Sequence, residues 1–180
     1  MTDLIDQLKA QHEDLRLALG LLRRMADQID FGVEPPAADC ALVLSYLLEF
    51  TFAVHMPLEA KTVLATVAAH GDGLAVECVG EILRTQSEAK SLLDCLRVMW
   101  GLPAGLALGE RAGMSATIRA LDRILFQCMK IEEDQLFVAA MRPPADDLLD
   151  WHRESLVASD GGRGAECWRQ TLQGIADRLS

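Results

Sequence analysis

Two imidazoles and two carboxylates stand at positions of this chain where leucine would be expected. Ile5, Leu8, His12, Leu15, Leu19 and Leu22 follow one another by steps of three and four, which draws one stripe down a helix. Leu44, Leu48, Phe52, His55 and Glu59 form a second such stripe, and Ile118, Leu121, Leu125, Cys128 and Glu132 a third. His12, His55, Glu59 and Glu132 are thereby aimed at a core. An uncompensated buried charge costs several kcal/mol, a large part of the stability of a small domain. Imidazoles and carboxylates grouped there imply a metal held between helices. His55 and Glu59 lie one turn apart on one face, and Cys128 and Glu132 repeat that spacing. Two imidazoles with two carboxylates suit Fe, Mn or Zn.

The elements that must carry these groups read as long helices. The first is expected from about Asp3 to Ile29, ended by a segment with two prolines, Pro35 and Pro36. The second is expected to be capped by Asp39 or the residues just before it and to run to about His70. The turn Gly71-Asp72-Gly73 leads to a third, Leu74 to Trp100, and a fourth runs from about Gly109 to just before Pro143. A shorter helix is expected over about Ala145 to Val157 and a last one over Ala165 to Leu179. Long helices with short connections pack as an antiparallel up-down bundle. The expectation is thus an all-α, single-domain chain over 1–180, with a four-helix core over about 3–142 and two shorter helices over about 145–180 lying across it. Pro57, between His55 and Glu59, should kink the second helix, either as a tolerated proline or as a bend that aims the two ligands.

Composition narrows the function classes. Of 180 residues, 51% are hydrophobic, which speaks against disorder, and only 5% are aromatic, with little strand-type alternation. A formal net charge of −10 without a basic stripe repels phosphate backbones, so nucleic acid is not an expected partner. No run of apolar residues is free of charge for the length of a membrane span, and the first residues lack the apolar block of a signal peptide. The five cysteines (Cys40, Cys78, Cys95, Cys128 and Cys167) are odd in number and widely spaced. They form neither a disulfide framework nor a zinc knuckle, which points to a reducing, cytoplasmic setting. No Gly-rich phosphate loop and no Ser-His-Asp spacing is found, so hydrolase or transferase chemistry has no support.

In order and spacing the chain resembles the hemerythrin-like family, also called the HHE cation-binding domain. Leu8-x-x-Gln11-His12-x-x-Leu15 resembles the family's first His motif, and His55-Met56-Pro57-Leu58-Glu59 the bacterial form HHPKE. Cys128-Met129-Lys130-Ile131-Glu132-Glu133, followed by Leu136-Phe137, is similar to H-M-x-x-E-E-x-x-L-F, and Asp150-Trp151 matches one bacterial branch. The resemblance implies an iron pair bridged by two carboxylates, which map to Glu59 and Glu132. One iron would take terminal imidazoles from His12 and His55. The other would take them from the positions of Gln86 and Cys128, where neither residue is a histidine. One half-site is complete and the other lacks both imidazoles. Gln86 nevertheless lies on the third seam with Val79, Ile82, Ala89 and Leu93.

The leading expectation is therefore a metal-binding protein with a partly degenerate site. It would hold at most one ion, iron or another divalent metal, and sense or handle dioxygen, nitric oxide or iron rather than turn over a substrate. The alternative is a metal-free bundle used as an interaction or structural module, in which the carboxylates share a proton. An oxidase or peroxide-handling activity on a single metal is a third. Cys128 is a weaker ligand candidate that can also serve as a small hydrophobe. Gln86 is expected to hydrogen-bond beside the metal rather than bind it. Glu133 is expected on the solvated face with Lys130 and Asp134, and as a ligand only if two ions were held. His70 and His152 read as helix-end and surface residues.

Overall fold

The computed structural model describes residues 2–100, 108–142 and 164–179. The expected helix over Ala145 to Val157, with Asp150, Trp151 and His152, lies outside them. The described residues are all-helical, without a strand, and form five helices. These are α1 (Thr2–Asp30), α2 (Ala37–His70), α3 (Gly73–Trp100), α4 (residues 108–140) and α5 (Ala165–Arg178).

The helix ends follow from local chemistry. Gly32, at φ 75°, lets α1 close on itself: Gly32 N–H donates to the Ile29 carbonyl and Val33 N–H to that of Gln28. This paired pattern satisfies carbonyls that a helix end leaves open. Asp72 caps α3, its Oδ1 accepting the Ala75 N–H at 3.0 Å. Gly71 is required before it, because a Cβ there would sit 2.5 Å from the Val67 carbonyl oxygen. Of the two cap positions the sequence left open, the residues before Asp39 hold the N-cap, at Pro36, and Asp39 does not. The helix begins at Ala37 after Pro36, and Asp39 lies buried in its first turn, where its carboxylate accepts from Arg178 of α5.

Pro57 is accommodated by widening α2 upstream of it. Residues Tyr46–His55 are π-helical, and the Met56 N–H reaches back five residues to the Thr51 carbonyl. Pro57 has no N–H to give, so a shifted hydrogen-bond register loses less than a regular one would. A second π-helical stretch, Ala60–Leu64, follows Glu59. The wider turns also move the buried face. Leu48 and Phe52, expected on the seam, are only half-buried, whereas Leu47, Phe50 and Thr51 are buried. In α4 the run Leu108–Ile131 passes into a π-helical turn at Glu132–Leu136 and ends at Phe137–Ala140.

The long helices pack in a ring, α1 on α2 and α4 and α3 on α2 and α4, and the C-terminal parts of α2 and α4 also meet each other. Two apolar clusters result. One gathers Leu15, Leu19, Leu22, Leu47, Leu93, Leu121 and Leu125, the other Ile5, Leu8, Leu58, Val63, Ile82 and Phe137. His12, His55, Glu59, Gln86 and Glu132 are buried, and on α1 and α3 they fall between the residues given to one cluster and those given to the other. By length and hydropathy α2 is long and apolar enough to cross a membrane, since the apolar stretch continues past Glu49 into a single 34-residue helix. Val43, Leu47, Val63 and Val67 of that helix are fully buried in the two clusters.

Helix α5 closes the first cluster against α1 and α2. Trp168, Leu172 and Ile175 are buried there, and Trp168 meets Tyr46 edge-on at 5.7 Å between ring centroids. Arg169 grips the buried Asp14 in bidentate fashion, at 2.7 and 3.0 Å. Trp168→Ala should therefore destabilise the chain by about 3–5 kcal/mol in urea unfolding. A loss below about 1 kcal/mol would mean that α5 contributes little to the core.

Candidate metal centre

Four helices contribute to the buried polar layer. His12 comes from α1, His55 and Glu59 from α2, Gln86 from α3 and Glu132 from α4. His12 and Glu59 have no solvent exposure, and the others are nearly as buried. The His12 and His55 rings meet edge-on at 5.0 Å, and ligand atoms of His12, His55 and Glu59 all lie within 4.8 Å of one another. Three of the four candidate ligands border π-helical stretches: His55 ends one, Glu59 precedes one and Glu132 begins one. Such distortions of the helix often mark functional positions.

Both imidazoles are held by their outward nitrogens. His55 Nδ1 lies 2.8 Å from Gln11 Oε1, an amide oxygen that only accepts, so the nitrogen donates. Burial, then the nearby His12, push His55 down to about 3, so it is neutral and keeps its lone pair on Nε2. His12 Nδ1 donates to Glu133 Oε1 at 2.7 Å, and Phe137 stacks on the ring at 5.6 Å. On the other side, His12 Nε2 faces Glu132 Oε2 at 3.4 Å without a hydrogen bond between them. With Nδ1 as the donor, both facing atoms are acceptors, and such a pair calls for a cation or a proton.

The carboxylates pose the same demand. Burial, and then the Glu132 carboxylate beside it, hold Glu59 well above the usual carboxylate range. Glu59 Oε1 has no hydrogen-bond partner. The Gln86 side-chain amide donates to Glu59 Oε2 at 3.3 Å and to Glu132 Oε1 at 3.5 Å, spanning the two acids. It therefore sits on the carboxylates as a donor, as expected from the sequence. Cys128 is buried nearby; burial, then the charges of Glu132 and Glu59, push its thiol up to about 12. It stays protonated beside the acids and packs in the second apolar cluster as a small hydrophobe.

Glu133 is the residue that the sequence placed wrongly. It is not simply solvated. Burial raises its pKa, but the hydrogen bonds and charges of Arg16 and His12 outweigh that and hold it below the usual range. Arg16 Nη2 donates to both of its oxygens at 2.7 Å. Lys130 and Asp134 are exposed as expected, as is His70 at the end of α2. Sequence reasoning missed Gln11 and Arg16. Both stand off the α1 seam, and their spacing from His12, one and four residues, was the available signal.

The donor set fits a divalent cation. Two imidazoles, two carboxylates and, with His12 Nδ1 as donor, two partnerless acceptor atoms, His12 Nε2 and Glu59 Oε1, face one dry layer. No family profile, curated protein or solved structure matches this chain.

Proposed function

We propose that this chain is a hemerythrin-like four-helix bundle that holds one metal ion through His12, His55, Glu59 and Glu132. The observation that carries the proposal is the pair of partnerless acceptors, His12 Nε2 and Glu59 Oε1, buried in a layer with a second carboxylate and a second imidazole. The ring of contacts from α1 through α2, α3 and α4 back to α1 supports the bundle architecture. An iron held there would supply an open coordination position for a small ligand such as dioxygen or nitric oxide. The chain's own residues then exclude water, through the clusters on either side, and fix the imidazoles through Gln11 and Glu133. No nucleophile with an activating base accompanies this layer among the described residues. A sensor or carrier role is proposed, with a reducing cytoplasm as its setting.

One observation favours a second reading. Gln86 already donates to both acids, so a proton shared between Glu59 and Glu132 would complete a metal-free network in a structural or interaction module. Thermal unfolding separates the two. Ferrous iron or zinc at about a hundred times its Kd should stabilise the metal-bound fold by about 2.7 kcal/mol, about 5–10 °C in Tm, and a chelator should reverse it. A melting temperature indifferent to both metal and chelator supports the metal-free module.

A further inference from the structure

We propose that Glu133, braced by Arg16, is a positioning residue that sets the tautomer of His12 and so aims its Nε2 at the metal position. This inference rests on the metal-site reading and adds a residue to it. Its basis is the division of labour between two consecutive acids. Glu132 Oε2 stands 3.4 Å from His12 Nε2, and Glu133 Oε1 stands 2.7 Å from Nδ1 of the same ring. Consecutive residues of a regular α-helix point about 100° apart, too far to close readily on one five-membered ring. The turn Glu132–Leu136 is π-helical, with the Phe137 N–H reaching back to the Glu132 carbonyl, and more residues per turn bring the two side chains closer in direction.

The brace is itself built. Arg16 lies one turn beyond His12 on α1, so one helix presents both the imidazole and the guanidinium that holds the imidazole's acceptor. Arg16 donates through Nη2 to both Glu133 oxygens and through Nη1 to Glu13 Oε1, all at 2.7 Å. With Arg16 donating to both of its oxygens, Glu133 faces His12 as an acceptor, so the proton of a neutral His12 resides on Nδ1. His55 has a neutral counterpart, the Gln11 amide oxygen at 2.8 Å. The supports are crossed: α4 braces the histidine of α1, and α1 braces the histidine of α2.

Two readouts test this, one of them independent of metal. Long-range proton–nitrogen correlation spectra of the histidine rings, recorded on metal-free wild type in mildly alkaline buffer, should show His12 as the Nδ1–H tautomer. Glu133→Ala should turn His12 into a mixture of tautomers and leave His55 unchanged, whereas Glu133→Gln, which keeps an acceptor oxygen, should restore the Nδ1–H form. Zinc competition titrations should show a loss of about 10–100-fold in affinity for Glu133→Ala, with partial recovery in Glu133→Gln. His12 found as the Nε2–H tautomer in wild type would overturn the inference, as would an unchanged His12 spectrum or unchanged zinc affinity in Glu133→Ala. If wild type binds neither zinc nor iron nor manganese, the metal-site reading falls, and the tautomer spectra still decide the role of Glu133.

Discussion

The double replacement Gln86→His with Cys128→His should raise the iron content from about one to about two per chain. Gln86 donates to both Glu59 and Glu132, so an imidazole grown from that position starts beside the two carboxylates that would bridge a metal pair. Cys128 is one turn before Glu132 and close enough for the charges of Glu132 and Glu59 to raise its thiol. Each single variant should fall short, because a second ion needs several ligands at once. The Cys128 position is 3% exposed, so a larger ring will cost about 1–3 kcal/mol in overpacking. Unfolding curves should accompany the metal analysis for that reason. A folded double variant with unchanged iron content would show that the layer around Gln86 is closed to a second metal.

The second large effect concerns the metal-free protein and pH. Glu59 is held above its ordinary 4.5 by burial and Glu132, so the folded state keeps a proton that the unfolded state releases. Its contribution is fully present below 4.5 and is lost as pH rises toward the raised folded value. His55 runs the other way. Its pKa falls from 6.5 to about 3 on folding, so its contribution is present above 6.5 and is lost as pH falls toward 3. Above 4.5 the Glu59 slope therefore opposes the His55 slope. The chelated protein should therefore lose stability on the acid side as His55 takes up its proton and on the alkaline side as Glu59 gives one up, each limb with a slope of at most about 1.4 kcal/mol per pH unit. Glu59→Gln should flatten the alkaline limb and be neutral or stabilising at neutral pH, because it removes a buried charge. Urea unfolding across the pH range checks this. An alkaline limb that survives in Glu59→Gln would assign it to another group.

Much of this layer was legible in the sequence because burial is periodic. His12 on α1, Gln86 on α3 and Glu132 on α4 fall in stripes whose leucines, isoleucines and alanines are buried as expected. The C-terminal helix over Ala165–Arg178 was equally plain, between its glycine-rich approach and the end of its apolar spacing. What stayed hidden involves departures from that periodicity. Pro57 announced a backbone defect, but not that the strain would spread upstream as π-helix and move burial from Leu48 and Phe52 to Leu47, Phe50 and Thr51. The π-turn at Glu132–Leu136 has no proline to mark it. Gln11, Arg16 and Glu133 stand beside the seams, where a hydrophobic pattern cannot tell a solvated polar group from one that reaches across to another helix. Asp14 and Asp39 were hidden for a related reason: each is buried only because an arginine from α5 pairs with it.

The most direct measurement is the metal content of protein purified without chelators from iron-replete cells, beside Glu59→Ala prepared in the same way. The metal-site account predicts close to one ion per wild-type chain and a near-complete loss in Glu59→Ala. Wild-type protein that stays empty after reconstitution with iron, manganese and zinc would contradict it, and so would two tightly held irons in the unmodified chain.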